Sequence, residues 1–278
     1  VGLVKLDFEK FYSEALPVVC DLSRSAGDAI MEIYDSEDFA VEEKSDKSPL
    51  TAADLASHQI LAEGLAQISP SLPVLSEESK QVPFETRSSW STYWLVDPLD
   101  GTKEFVKRNG EFTVNVALVK DHFPVLGVVY APAIDRLYFA SAGSAAYVQD
   151  SGKPARPIAA SAGDPPRVVG SRSHAGGHLQ TFLDRIGEHS LVSMGSSLKL
   201  CLVAEGAADV YPRLGPTSEW DTAAAQCVAE EAGASVTDLH GVRLSCNRKD
   251  SFLNPFFIVS AEAGKDWRPY LPTDCLAQ

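Results

Sequence analysis

The sequence predicts an α/β fold, and three observations carry that prediction. Apolar residues keep helical spacing up to about residue 68, short β-prone runs follow from residue 73 to 148, and strand-like and helix-like segments alternate from residue 167 to 260. The expected result is a substantial sheet flanked by early helices, followed by a smaller α/β half.

The elements follow in order. From Asp7 to Tyr34, the residues Phe8, Phe11, Leu16, Val19, Leu22, Ala26, Ile30 and Ile33 repeat at helical spacing, with Pro17 as an expected kink or break, so one or two helices are predicted. Thr51 to Ile68 reads as the next helix, carrying Leu55, Ile60, Leu61 and Leu65, and Thr51 with Asp54 has the spacing of a capping box. Strands are then expected at Pro73–Ser76, Tyr93–Val96, Thr113–Val119, Pro124–Tyr130, Leu137–Ala140 and Ala145–Val148. Ser151 to Pro166, rich in Pro, Gly, Ser and Ala, reads as a loop-like crossing and divides the chain into units 1–160 and 161–278. Beyond it come strands at Arg167–Gly170, Leu191–Met194, Ala208–Tyr211, Ser235–Asp238 and Phe256–Ser260. Helices at Leu179–Ile186, Leu198–Glu205 and Thr222–Ala232 lie between them.

Composition narrows the classes. The chain has 278 residues, 45% apolar and 22% charged, which is ordinary for a globular protein and excludes disordered and fibrous architectures. A formal net charge of −14 argues against binding a nucleic-acid backbone, although a few local cations or metal ions reverse the field inside one cleft for a small polyanion. No apolar run reaches the roughly 18 residues of a spanning helix, and no signal-peptide pattern is present, so the chain reads as cytoplasmic. It starts at Val1, which reads as a processed start. Cys20, Cys201, Cys227, Cys246 and Cys275 are scattered and never in a Cys-x-x-Cys pair, which suits reduced thiols better than zinc or disulfides. The chain also lacks a Gly-x-x-x-x-Gly-Lys loop, a Gly-x-Gly-x-x-Gly loop, a Gly-x-Ser-x-Gly elbow and a His-Glu-x-x-His helix.

The chemistry is expected around Asp97-Pro98-Leu99-Asp100-Gly101-Thr102. Tyr93 to Val96 is uniformly apolar and reads as a buried strand, so Asp97 stands where that strand is expected to end, at Pro98. Pro98 and Gly101 make a tight turn that brings Asp100 near Asp97. Two carboxylates at that range favour a cation between them, and hard oxygen ligands favour Mg2+ or Mn2+ over zinc. Taken alone, each acidic residue also has a plain structural role. Asp-Pro and Asp-Gly are common turn dipeptides, Glu77-Glu78 suits a solvated turn after a strand, Asp221 suits a helix N-cap, and Asp54 suits a first helical turn.

Together these residues resemble the inositol monophosphatase and fructose bisphosphatase superfamily, whose signature is Asp-Pro-(Ile/Leu)-Asp-Gly-Thr with an upstream Glu and a downstream Trp-Asp. The resemblance runs through Lys44–Asp54, Leu75–Glu78, Trp94–Phe105, Gly110–Ala117 and Trp220–Ala225. Lys103-Glu104-Phe105 after the Gly-Thr is similar to the 3'(2'),5'-bisphosphate nucleotidase branch. The resemblance implies a layered αβαβα architecture. It also implies that Glu77, Asp97, Asp100, Asp221 and the carbonyl of Leu99 bind two or three Mg2+ ions, with Thr102 and Asp54 orienting the attacking water. Gly101 and Thr102 would present main-chain N–H groups to the phosphate, and Asp221 would also face the substrate. Adenosine 3',5'-bisphosphate is the implied substrate, adenosine 3'-phosphate 5'-phosphosulfate a second one, and His174, Ser196, Lys199 and Arg213 the candidates for the other phosphate. At Gly195 relatives carry an Asp.

The resemblance further implies inhibition by Li+, and either a monomer or a homodimer, with no nucleic-acid partner and no stable membrane insertion. Peripheral attachment to the inner membrane is the alternative to a wholly cytoplasmic protein. Two other readings stand beside the nucleotidase: an inositol monophosphatase or inositol polyphosphate 1-phosphatase, and a non-catalytic metal or nucleotide sensor.

Overall fold

A computed structural model of the chain describes residues 8–35, 41–43, 49–79, 82–171 and 177–277. Helix α1 (Phe8–Tyr34) is one uninterrupted element containing Pro17, so the expected break does not occur. Pro17 is exposed, while Tyr12, Ala15, Val19, Ala26 and Ile30 continue one buried stripe past it. Burial of that stripe outweighs the missing N–H that the Ser13 carbonyl would have accepted. A short hairpin, β1 (Val41–Glu43) and β2 (Pro49–Thr51), leads into α2 (Ala52–Ile68).

The large sheet begins with β3 (Val74–Ser76), and α3 (Phe84–Arg87) connects it to β4 (Thr92–Asp100). After α4 (Thr102–Val106) the sheet continues through β5 (Thr113–Lys120), β6 (Phe123–Ala131), β7 (Arg136–Ser141), β8 (Ala146–Asp150) and β9 (Arg156–Ile158). These seven strands lie side by side in chain order, parallel at β3/β4 and antiparallel at every other joint. Alternation along the strands separates two cores. Trp94, Val96, Val114, Val116, Leu126 and Val128 face α1 and α2, and Tyr93, Leu95, Ala117, Val119 and Val129 face the opposite side.

The second sheet is built from β10 (Arg167–Ser171), β11 (Ser190–Met194), β12 (Val210–Arg213), β13 (Ser235–Asp238) and β14 (Phe257–Ser260), ordered β11-β10-β12-β14-β13. Three helices interleave with it: α5 (Gly177–Ile186), α6 (Leu198–Ala204) and α7 (Glu219–Glu231). Helices α6 and α7 lie between the two sheets, and α5 covers the far face of the small sheet through Phe182 and Leu183. The layers therefore read αβαβα, as the resemblance implied.

Helix α7 is small-sided, with Ala223, Ala224 and Ala225 all buried, and it lies so close to β6 that a Cβ at Gly127 would stand 2.8 Å from the Cβ of Cys227. The crossing from Ser151 to Pro166 is not wholly a loop, because β9 pairs there with β8. Among the described residues no helix is long and apolar enough to cross a membrane.

Candidate active site

Strand β4 does not end at Pro98. It runs on to Asp100, and its pairing with β5 passes from Asp97↔Asn115 to Asp100↔Thr113, three residues on one side against two on the other. Pro98 occupies this bulge, where the ladder asks for no N–H, which is why a proline is accepted inside a buried strand. Asp97 is 1% exposed, and its Oδ1 accepts the Leu99 N–H at 3.1 Å. Gly101 then turns with φ of 93°, a value a side chain would resist, and α4 starts at Thr102.

Four other carboxylates gather around Asp97. Glu77 follows β3, and its N–H bonds the Val96 carbonyl at 3.1 Å, which sets it beside the end of β4. Asp100 accepts the Ser197 N–H at 2.6 Å. Asp221 is not the N-cap of α7 as its isolated reading expected. Ser218 holds that position, and Asp221 stands at the third residue, its Oδ2 accepting the Ser218 N–H at 2.9 Å in a capping box. Asp54, in the first turn of α2, is buried at 1% exposure. Burial, followed by repulsion from Glu77, Asp100, Asp221 and Asp54, holds the Asp97 carboxyl well above its ordinary range. Asp221 is raised by burial and then by Asp100, and Asp100 by burial despite the opposing pull of Lys199.

One cleft joins these groups to the second half of the chain. Glu77, Asp97, Leu99, Asp100, Gly101, Thr102 and Asp221 line it together with Ser196, Lys199, Tyr211 and Arg213. Asp54 is not among its lining residues. Lys199 is 7% exposed and so is not a surface lysine. Its ammonium donates to the Ser196 carbonyl, lies 5.8 Å from the centre of the Tyr211 ring, and is pushed down to about 8 chiefly by burial. Arg213 borders the cleft with its guanidinium bonded to the carbonyls of Gly215 at 3.1 Å and Pro216 at 2.5 Å. Ser196 sits in the left-handed region with φ of 45°. The candidate His174 lies outside the described residues.

The donor set fits a hard divalent cation. It is composed of oxygen, it carries several carboxyls that burial and mutual repulsion drive toward protonation, and a 2+ ion relieves both effects. Among the described residues no Cys lines the cleft, and the one His that does is His178.

Comparison with known proteins fixes the lineage. A profile described as the inositol monophosphatase family matches residues 12–266. The chain belongs to the inositol monophosphatase family. Within it, the chain is 52% identical over 246 residues to a protein of Salmonella typhimurium named 3'(2'),5'-bisphosphate nucleotidase CysQ, covering 88% of this chain and 99% of that one. A Buchnera aphidicola protein of the same name is 44% identical over 253 residues, 90% of this chain and 95% of its own. The crystal structure of CysQ from Bacteroides thetaiotaomicron, described as a bacterial member of the inositol monophosphatase family, superposes with a TM-score of 0.80 at 42% identity, covering 90% of this chain and 97% of that one.

Some features of this inositol monophosphatase fold were not read from the sequence. Glu111 accepts the Gly195 N–H at 2.8 Å, and a Cβ at position 195 would lie 2.8 Å from the Glu111 Cβ and 2.9 Å from the Glu104 Cγ. At position 195 Glu111 and Glu104 leave no room for a side chain, which suits a glycine. Ser197 ties the halves together, its hydroxyl reaching Asn115 at 2.8 Å and Thr113 at 2.9 Å. His178 also lines the cleft mouth, and no motif marked it.

Proposed function

We propose that this chain is a Mg2+-dependent phosphomonoesterase that removes the 3'-phosphate of adenosine 3',5'-bisphosphate, giving AMP and phosphate. The observation that carries the reading is the two-signed cleft, lined both by carboxylates, among them the buried Asp97, and by the buried Lys199 together with Arg213. A ligand with two separated anionic groups matches such a cleft, and the names of the 52% and 44% identical relatives agree with it.

In this reading Glu77, Asp97, Asp100, Asp221 and the Leu99 carbonyl hold two or three Mg2+ ions, with Mn2+ as a substitute. The bound cations supply Lewis-acid polarisation of the phosphoryl oxygens and make a nucleophile available at neutral pH. Thr102 and Asp54 form the pair that orients the attacking water, the Asp54 carboxylate making the Thr102 hydroxyl an acceptor for its proton. Main-chain N–H groups of Gly101 and Thr102 face the phosphate, while Ser196, Lys199, Arg213 and His174 take the 5'-phosphate or, in a second substrate, the phosphosulfate. Five buried free cysteines agree with a reducing, cytoplasmic setting.

A panel of phosphoesters assayed with Mg2+ tests this reading. kcat/KM for adenosine 3',5'-bisphosphate is expected to exceed that for inositol 1-phosphate by at least ~100-fold, about 2.7 kcal/mol of transition-state discrimination. Near-equal values would return the chain to the inositol phosphatases.

A further inference from the structure

The family match ends at residue 266, and the residues beyond it fold back onto α5. Trp267 and Tyr270 pack on Phe182 with ring centres 6.1 and 6.3 Å away, Leu271 and Cys275 are buried in the same cluster, and the Arg185 guanidinium donates to the Leu271 carbonyl. This docking carries Asp274 to the first turn of α5, where its Oδ2 lies 3.0 Å from Nε2 of His178. The His178 ring also meets Phe256 edge-on, at 6.4 Å between centres. His178 is therefore held from two sides, and it lines the cleft beside Leu179, Leu214 and Pro216.

We propose that His178, positioned by Asp274, forms the outer wall of the cleft and contacts the heteroaromatic base of the nucleotide. The inference rests on the nucleotidase reading above. A second phosphate is the poorer occupant of this wall, because the Asp274 carboxylate beside the ring repels anions, whereas Lys199 and Arg213 supply cations elsewhere in the same cleft. Leu179, Leu214 and Pro216 offer apolar surface to a flat ring, and a fixed imidazole adds a flat face and a polar edge. Asp274 is the positioning residue. It lies beyond residue 266, where the match to the family model ends.

Two measurements on the full chain test the wall. In steady-state assays His178→Ala and Asp274→Ala are expected to raise KM for adenosine 3',5'-bisphosphate about tenfold and about threefold, with kcat within twofold. KM for inositol 1-phosphate, which has no base, stays unchanged, and Asp274→Glu restores the wild-type KM. In calorimetric titration with AMP, the two alanine variants lose affinity by the same factors. Unchanged AMP affinity in both variants, or an equal rise in KM for the base-free substrate, overturns the inference. A wild type that binds AMP yet hydrolyses no bisphosphate overturns the nucleotidase reading while the titrations still judge the wall. A wild type that hydrolyses the bisphosphate yet does not bind AMP overturns the wall and leaves the nucleotidase reading standing.

Discussion

At the scale of single residues, the cleft concentrates charge that water would otherwise solvate. Asp100 accepts the Ser197 N–H and feels the ammonium of Lys199, so an amide there keeps the hydrogen-bonded shape while removing a negative charge from the ligand set. Asp100→Asn is expected to lower kcat/KM by at least about 100-fold, about 2.7 kcal/mol, with the fold intact by circular dichroism. Retention of both turnover and its Mg2+ dependence would sink the metal mechanism.

Glu219, two residues before Asp221, makes a different point about charge. It is 2% exposed and accepts the Asn247 N–H at 2.9 Å, and burial pushes its carboxyl up to about 7 from an ordinary 4.5. The folded chain therefore holds this proton more tightly than the unfolded chain. The stability it contributes is complete below about pH 4.5 and is lost as pH rises through about 7. Glu219→Gln removes that loss, so relative to wild type the variant gains about 3 kcal/mol between pH 4.5 and pH 8, measured by urea unfolding at both pH values. A difference between the two proteins that does not change with pH would contradict the assignment.

At the scale of elements, the two long helices and the strands set between turn residues were legible, and a few short elements were not. Helices α1 and α2 were read from a helical period, and strands β3 to β8 from β-prone runs between turn residues. The hairpin of β1 and β2, strand β9 and helix α4 have three to five residues and carry no period to read. Pro17 and Pro98 misled for a common reason, since local propensity was outweighed by burial in the helix and bypassed by a bulge in the strand. The acidic residues of the cleft were legible as a motif, whereas the burial of Lys199 depends on tertiary packing that no local pattern encodes. The tightest inter-element contact is also hidden in the sequence. Gly127→Ala drives a methyl into Ala224 and Cys227 of α7, and is expected to cost about 1–3 kcal/mol, read as a lowered Tm. An unchanged Tm would mean that α7 shifts freely on the sheet.

At the scale of the whole molecule, one core crosses between the sheets. Tyr138, Val148 and Ile158 of the large sheet share a buried cluster with Val169, Val236 and Val259 of the small one, and α7 fills the space between. We propose that units 1–160 and 161–278 are two halves of one cooperative body. Urea unfolding followed by tryptophan fluorescence and by far-ultraviolet circular dichroism is then expected to give a single coincident transition. Two separated transitions would establish independent domains. The site depends on this joint construction, because Asp97 and Asp100 come from one half while Asp221, Ser197 and Lys199 come from the other.

The bulge between Asp97 and Asp100 has a consequence for parity. Side chains alternate across a strand, so residues an odd number of steps apart point to opposite faces. The one additional residue cancels that rule here, since Asp97 and Asp100 stand opposite Asn115 and Thr113, which are two steps apart and share a face. Both carboxylates therefore look into the same cleft. A regular ladder through the same residues, without the bulge, would set the two acids three steps apart and turn one of them to the far side, although every acidic residue would still be present. For this segment, the irregularity of the ladder is as much a part of the chemistry as the residues it spells.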